Sequence, residues 1–346
     1  MSLQAPIPVQ QPQPGEQLLD LACGYVISAA MNVAAKLKVA DLLTAGPRPI
    51  AELAKATGVR EDGLYRVMRT LASVGVFSEV GLRYFALTPK AEPLRSDVPH
   101  SIRDLVLWVC DPFHFHTWKE MMHCVQTGQT AVEHLYRKPV FQVLEDDREE
   151  SGVFNAGMTG FCNLVSSAVL DAYDFSGVGS LMDVAGGHGL MLASILKAYP
   201  RMHGFLFELN HVAEGAREHF RKLELAGRCQ VVTGDFFAKI PAGAEVYVMQ
   251  HIIHDWEDDK AVQILNNVRR ALAGNSKGRL LLLEGVIAPG NQSDFTKLVD
   301  LEMLIMCGGR ERSEQEFGQL FKRSGFRLNR VVRTQGPICV IEAMPV

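Results

Sequence analysis

The chain has 346 residues, enough for roughly two domains of ~100–200 residues each. Hydrophobic residues make up 47% and charged residues 21%, which excludes a disordered or fibrous chain. Lys plus Arg number 35 against 39 Asp plus Glu, a net charge of -4, so the chain has no general attraction for nucleic acid or anionic lipid.

The Pro/Gln-rich start, residues 1–15, reads as a disordered arm without the basic and apolar parts of a secretory signal. No apolar run approaches the roughly 18 residues needed to span a bilayer, so no membrane partner is expected. The cysteines number seven, are spread along the chain and form no C-x-x-C pair. Neither a disulfide framework nor a zinc ribbon follows, and the reducing cytoplasm is the expected compartment.

Leu18, Leu19, Ala22, Val26, Ala29, Ala30, Val33 and Leu37 recur at helical spacing and predict one helix. It is more apolar than its own core needs. A short helix ending at Gly58 follows, then a helix ending at Gly75 and a hairpin of residues 76–80 and 83–87. Helix, turn, helix and hairpin make a winged helix. Its basic residues are largely offset by Glu52, Glu61, Asp62 and Glu79. Phosphate neutralisation dominates nucleic-acid affinity, so a dimerisation or lid role fits better than DNA binding.

From about Ser180 strands alternate with helices, predicting a doubly wound α/β sheet. The strands are expected at 181–184, 204–208, 230–233, 245–249 and 280–284, with two more near 327–332 and 339–343. Asp255 is the expected N-cap of the helix after the fourth strand, and Ser313 to Glu316 reads as a capping box.

Between the first strand and its helix lies Asp183-Val184-Ala185-Gly186-Gly187-His188-Gly189. Glycines there let the backbone approach a ligand. Glu208 ends the next strand, where an acid can accept hydrogen bonds from ribose hydroxyls, and Asp235 ends the third. The glycine spacing departs from G-x-G-x-x-G, and three acids would repel a pyrophosphate. S-adenosylmethionine carries a sulfonium and an ammonium group and no phosphate, so it suits this rim better than NAD.

His254 follows the fourth strand and is the candidate general base. Glu284, at the end of the fifth strand, or Glu311 can orient it; Glu311 is flanked by two arginines, so ion pairing is its alternative role. His114, His116, His251 and His254 lack any H-E-x-x-H or clustered spacing, and no metal is expected.

The glycine loop, Phe207-Glu208-Leu209, Gly234-Asp235-Phe236-Phe237, His254-Asp255-Trp256 and Gly309-Arg310-Glu311-Arg312, in this order, resemble the plant-type small-molecule O-methyltransferases. That family includes the caffeate, isoflavone and hydroxyindole enzymes and bacterial relatives acting on natural products. The resemblance runs from about Glu16 to the C-terminus. It implies a winged-helix dimerisation domain over residues 16–100, a helical linker and substrate-binding region over 101–178, and a class I methyltransferase domain over 179–346. It implies a homodimer, S-adenosylmethionine as cofactor and a small hydroxylated acceptor. The implied cofactor contacts are Asp183, Gly186, Gly187, Gly189, Glu208, Leu209, Asp235, Phe236, Gln250 and Trp256. The implied catalytic residues are His254, Glu284 and Glu311. Trp118, Asn155, Met158, Phe161, Met303 and Cys307 fall where acceptor-pocket residues are expected, and core packing is their other reading.

This chain departs from the family at three places. Ala185 stands where a Gly is usual, which is tolerable at negative φ and weakens the turn otherwise. Gln250 stands where plant members carry a Lys. The loop before Gly308-Gly309 is one residue shorter. An NAD(P)-linked oxidoreductase, and a cofactor-binding or DNA-binding protein without methyl transfer, are the competing classes.

Overall fold

The computed structural model describes residues 13–275 and 277–346. They form two compact units that divide between Asp111 and Pro112. Of the arm expected over 1–15, residues 1–12 lie outside the described residues, while Pro14 opens the first helix.

In the first unit the single apolar helix expected from the sequence is two, Pro14–Ala22 and Gly24–Lys36, meeting at a 44° bend. The break falls at Cys23–Gly24, and glycine is a usual cause of such a kink. Helices Ile50–Thr57 and Glu61–Ser73 follow, the first ended by Gly58 in the left-handed conformation. Strands β1 (Arg48–Pro49), β2 (Phe77–Gly81) and β3 (Tyr84–Leu87) form a small antiparallel sheet in the order β1-β3-β2. The core gathers Leu53, Leu64, Met68, Leu71, Phe77 and Phe85. Helix Arg103–Val109 joins this unit, beyond the boundary expected at residue 100. Arg103 donates to the Ala35 carbonyl at 2.9 Å, and Val106 is buried in the same core. Leu18, Leu19, Leu21 and Tyr25 are all more than 60% exposed.

The second unit is built on a seven-stranded sheet. Its strands are β4 (Ser180–Val184), β5 (His203–Glu208), β6 (Cys229–Thr233), β7 (Val246–Gln250), β8 (Arg279–Glu284), β9 (Phe326–Arg333) and β10 (Cys339–Pro345). Their order is β6-β5-β4-β7-β8-β10-β9. The first five are parallel, and β10 runs antiparallel to both β8 and β9. Chain order reverses between β4 and β7, the switch point where such sheets bind ligands beyond their carboxyl ends. Parallel strands covered on both faces read as continuous apolar runs, as in Leu280–Leu283, which is fully buried.

Helices Arg148–Ala172 and Leu190–Ala198 cover one face through Val165, Val169, Leu192 and Leu196. Helices Asp258–Ala271 and Glu314–Arg323 cover the other through Ile264, Leu265, Phe317 and Phe321. The Ser313 capping box is present: Glu316 N donates to Ser313 Oγ, and Ser313 N donates to Glu316 Oε2 at 2.8 Å. The expected Asp255 cap is not. That helix begins at Asp258, and Asp255 sits in a 3-10 turn, Ile253–Asp255.

Among the described residues, Arg148–Ala172 is long and apolar enough to cross a membrane by length and composition, contrary to the sequence expectation. Its apolar residues are interleaved with Gly, Ser and Asn, so the window average is high although no continuous run exists. Here Cys162, Val165 and Val169 face the sheet core.

Candidate active site

Beyond β4 the chain turns through Ala185, Gly186 and Gly187 into the helix at Leu190. A Cβ on Gly186 would lie 2.3 Å from Asp183 Oδ2, and one on Gly189 would lie 2.4 Å from Phe220, so both positions need glycine. Ala185 has φ 58°, the left-handed region that the sequence reading named as the unfavourable case. Its N–H donates to the Phe207 carbonyl at 2.8 Å, which holds the strained residue in place.

The three acids of the rim differ. Asp183 is buried, and among the described residues neither carboxylate oxygen has a side-chain partner. Burial and the nearby Glu208 charge push its pKa up to about 7. Glu208 accepts from Leu209 N at 2.7 Å and Gly187 N at 2.9 Å; burial still raises its pKa, and those two donors oppose the rise. Asp235 is exposed after β6, and its Oδ1 accepts from Phe237 N at 2.8 Å. Phe236 and Phe237 meet Trp256 edge-on at 6.2 and 4.8 Å, forming an aromatic wall beside Asp235. Gln250 ends β7, where its Oε1 lies 3.7 Å from Cys162 Sγ.

This chemistry fits S-adenosylmethionine. The unpartnered, buried Asp183 oxygens call for a cation, the missing Cβ of Gly186 leaves room above them, and Glu208 has lone pairs to spare for a diol.

His254 lies in the 3-10 turn after β7 and is 6% exposed. Its Nδ1 is 2.6 Å from Glu311 Oε1 and 3.7 Å from Glu284 Oε2, and its Nε2 is 3.5 Å from Asp255 Oδ1. Burial alone would lower the imidazole pKa, but Glu284, Asp255 and Glu311 outweigh it and push the value up to about 10. Burial in turn raises Glu284 to about 7 and Asp255 to about 6.

Three residues, Glu284, Arg310 and Arg312, hold this arrangement. Glu284 Oε1 accepts from the backbone of Ile252 at 3.1 Å and Ile253 at 2.9 Å, tying the turn to the end of β8. Arg310 N donates to the His254 carbonyl at 2.8 Å, and a Cβ on Gly309 would stand 1.9 Å from that same oxygen. Arg312, 1% exposed, donates to Asp258, to the Ile253 carbonyl at 3.2 Å and to the Trp256 carbonyl at 2.9 Å. It clamps the His254 turn and leaves Glu311 to the imidazole. The sequence reading missed both Gly309 and Arg312 as positioning residues, although the motif containing them was visible.

The acceptor candidates scatter more. Phe161 packs edge-on against His251 at 4.9 Å, and His251 lies 4.6 Å from His254. Phe161, His251, Phe295, Ile338 and Glu311 line a small cavity. Cys307 hydrogen-bonds Asp255, and burial raises its thiol pKa well above the usual value. Met303 is buried on helix Phe295–Met306. Trp118 and Met158 are half-buried on helices Pro112–Trp118 and Arg148–Ala172. Asn155 is exposed, and its amide donates to Ser151 at 3.3 Å.

The fold and the glycine-loop site define a class I methyltransferase. Residues 118–327 match the O-methyltransferase domain model and residues 19–96 the O-methyltransferase dimerisation domain, so the chain belongs to the O-methyltransferase family. It is an S-adenosylmethionine-dependent O-methyltransferase. The chain is 40% identical to the phenazine O-methyltransferase of Lysobacter antibioticus, over 95% of this chain and 96% of that one. It is 36% identical to the mitomycin biosynthesis 6-O-methyltransferase of Streptomyces lavendulae, over 94% and 93%. A solved O-methyltransferase from neocarzinostatin biosynthesis, in complex with S-adenosylmethionine and 2-hydroxy-5-methyl naphthoic acid, superposes with a TM-score of 0.78 at 32% identity, covering 97% of this chain and all of that one.

Proposed function

We propose that the protein methylates a phenolic or enolic hydroxyl of a small aromatic or polyketide-like natural product, with His254 as the general base. The observation that carries this reading is the 2.6 Å His254–Glu311 pair at the ligand edge of the sheet. Glu311 takes the Nδ1 proton as a hydrogen bond, so the neutral ring presents the Nε2 lone pair to the acceptor.

An unperturbed imidazole falls about 3.5 units short of a phenol, roughly 5 kcal/mol. The carboxylates around His254 raise its pKa to about 10, which brings base and phenol level. The same field keeps the ring protonated at neutral pH, so the reactive neutral form is scarce there and grows as the pH rises toward that value. When bound, S-adenosylmethionine supplies an electrophilic methyl group and a sulfonium charge that opposes the imidazolium. Asp183 would hold the cationic amino-acid end, Glu208 the ribose diol, and Asp235 with Phe236 and Trp256 the adenine. Phe161, Met303 and Cys307 would shape the acceptor side.

The working unit is a homodimer joined through the exposed apolar faces of Pro14–Ala22 and Gly24–Lys36, which fit an interface of this kind.

The test is a methylation panel read by mass spectrometry. Phenols and enols are expected to gain one methyl, about 14 mass units, while matched amines and aliphatic alcohols stay unchanged. Equal methylation of amines would overturn the hydroxyl assignment.

A further inference from the structure

The side chains around His254 have ligand chemistry that proton transfer leaves unused. His251, His254, Glu284 and Glu311 each offer one ligand atom, and all four atoms lie within 4.8 Å of one another. His251 Nε2, Glu284 Oε2 and Glu311 Oε2 are buried without a hydrogen-bond partner among the described residues. Glu284 is fully buried and Glu311 is 3% exposed, so bulk solvent does not reach those oxygens. Unpaired buried polar atoms are costly, and these three belong to the same cluster of four ligating side chains.

We propose that these four residues bind a divalent transition-metal ion, with Zn²⁺ as the representative, and that the bound ion blocks methyl transfer. Two neutral imidazoles and two carboxylates carry a charge of two minus, which a divalent ion neutralises. Imidazole and carboxylate form the donor set that suits zinc. Metal bonds of about 2.0–2.2 Å place tetrahedral ligand atoms roughly 3.3 Å apart. The widest pair therefore closes by about 1.5 Å, a displacement within reach of glutamate side-chain rotation. Sequence spacing hides this cluster, because Glu284 and Glu311 arrive from β8 and from the loop after helix Phe295–Met306.

The block follows from proton balance. His254 Nδ1 faces both glutamates, at 2.6 and 3.7 Å, so it is the nitrogen that meets the ion. Coordination displaces the Nδ1 proton to solvent and leaves the ring proton on Nε2. That nitrogen then donates and accepts no proton from the acceptor. The inhibitory half of the proposal rests on His254 being the base; the binding half does not.

The full chain, kept reduced, is titrated with Zn²⁺ by calorimetry, and Co²⁺ loading is followed by visible absorption. One ion per chain is expected, with the intense bands of a four-coordinate Co²⁺ site. His251→Gln and Glu284→Gln are expected to weaken binding by more than the roughly 10–100-fold that losing a supporting partner of a metal site costs. His251→Cys returns a ligand and is expected to restore most of the affinity, which separates ligand loss from misfolding. The Zn²⁺ inhibition constant, measured against each variant's own metal-free rate, is expected to rise in parallel with the dissociation constant. Undiminished binding in both Gln variants would overturn the site. Binding that depends on His251 without inhibition of the parent enzyme would keep the site and overturn the block.

Discussion

Asp183 near the end of β4 and Glu284 at the end of β8 are both buried carboxylates at the carboxyl edge of the sheet, with β7 between their strands, yet they are balanced in opposite ways. Asp183 has no ion-pair partner among the described residues, and burial beside Glu208 holds its pKa near 7. Glu284 shares its surroundings with a cation made by the protein itself, since His254 lies 3.7 Å away and two backbone N–H groups reach its other oxygen. The glycine-loop site is thus electrostatically incomplete until a cationic ligand arrives. The His254 site supplies its own cation, an imidazolium facing three carboxylates. The first should respond to mutation in cofactor affinity, the second in turnover and its pH dependence.

The largest effect expected from this contrast is at Glu311. Glu311→Gln removes the nearest negative charge from His254 and the acceptor that fixes its tautomer. Turnover should fall by about 10²–10⁴-fold, the scale of a lost base function. The pH profile should move as well. The reactive ring is neutral, so kcat/KM of the parent rises with pH toward the His254 pKa of about 10. Without the Glu311 charge that pKa falls, and the rise should level off at lower pH. An unshifted profile would assign the pH dependence to the acceptor alone.

A smaller effect belongs to the cofactor side. Glu208→Ala should cost about 1.5–3 kcal/mol in S-adenosylmethionine affinity, the scale of hydrogen bonds to a charged group. Calorimetry should show that loss together with a lower thermal stabilisation by the cofactor. Unchanged affinity would remove Glu208 from the ribose contact and erase the distinction between the two sites.

The smallest effect is in the turn after β4. Ala185 sits at φ 58°, a conformation costing an L-residue about 1–2 kcal/mol. Ala185→Gly relieves it but gains unfolded-state entropy worth about 0.4–1 kcal/mol. The net expectation is a stabilisation of under about 1.5 kcal/mol, read as a small rise in Tm. A fall in Tm would show that the neighbouring contacts repay the strain in full.

These contrasts also mark what the residues alone make legible. The apolar runs of β4, β7 and β8, the glycine loop and the Ser313 capping box follow from local pattern, and so the sheet and the acidic rim were readable. The break at Cys23–Gly24 and the true start of the helix at Asp258 depend on how the chain packs, and local pattern misassigned both. Gly309 matters because the His254 carbonyl passes 1.9 Å from where its Cβ would be, a distance set by residues more than fifty positions apart. Arg312 reads as a surface cation and is instead a buried clamp on the His254 turn. His251 carried no spacing signal, since its neighbours Phe161 and Glu311 come from distant segments.

The central claim is that His254 removes the acceptor proton. Single-turnover methylation over phenols of graded acidity, comparing the parent with His254→Gln, tests it most directly. Cofactor affinity should be nearly unchanged, because the proposed contacts lie mainly on β4, β5 and β6. The loss should be about 10²–10⁴-fold for weakly acidic phenols and should shrink for those already ionised at the assay pH. An equal loss across the series would contradict the claim and make His254 a positioning residue.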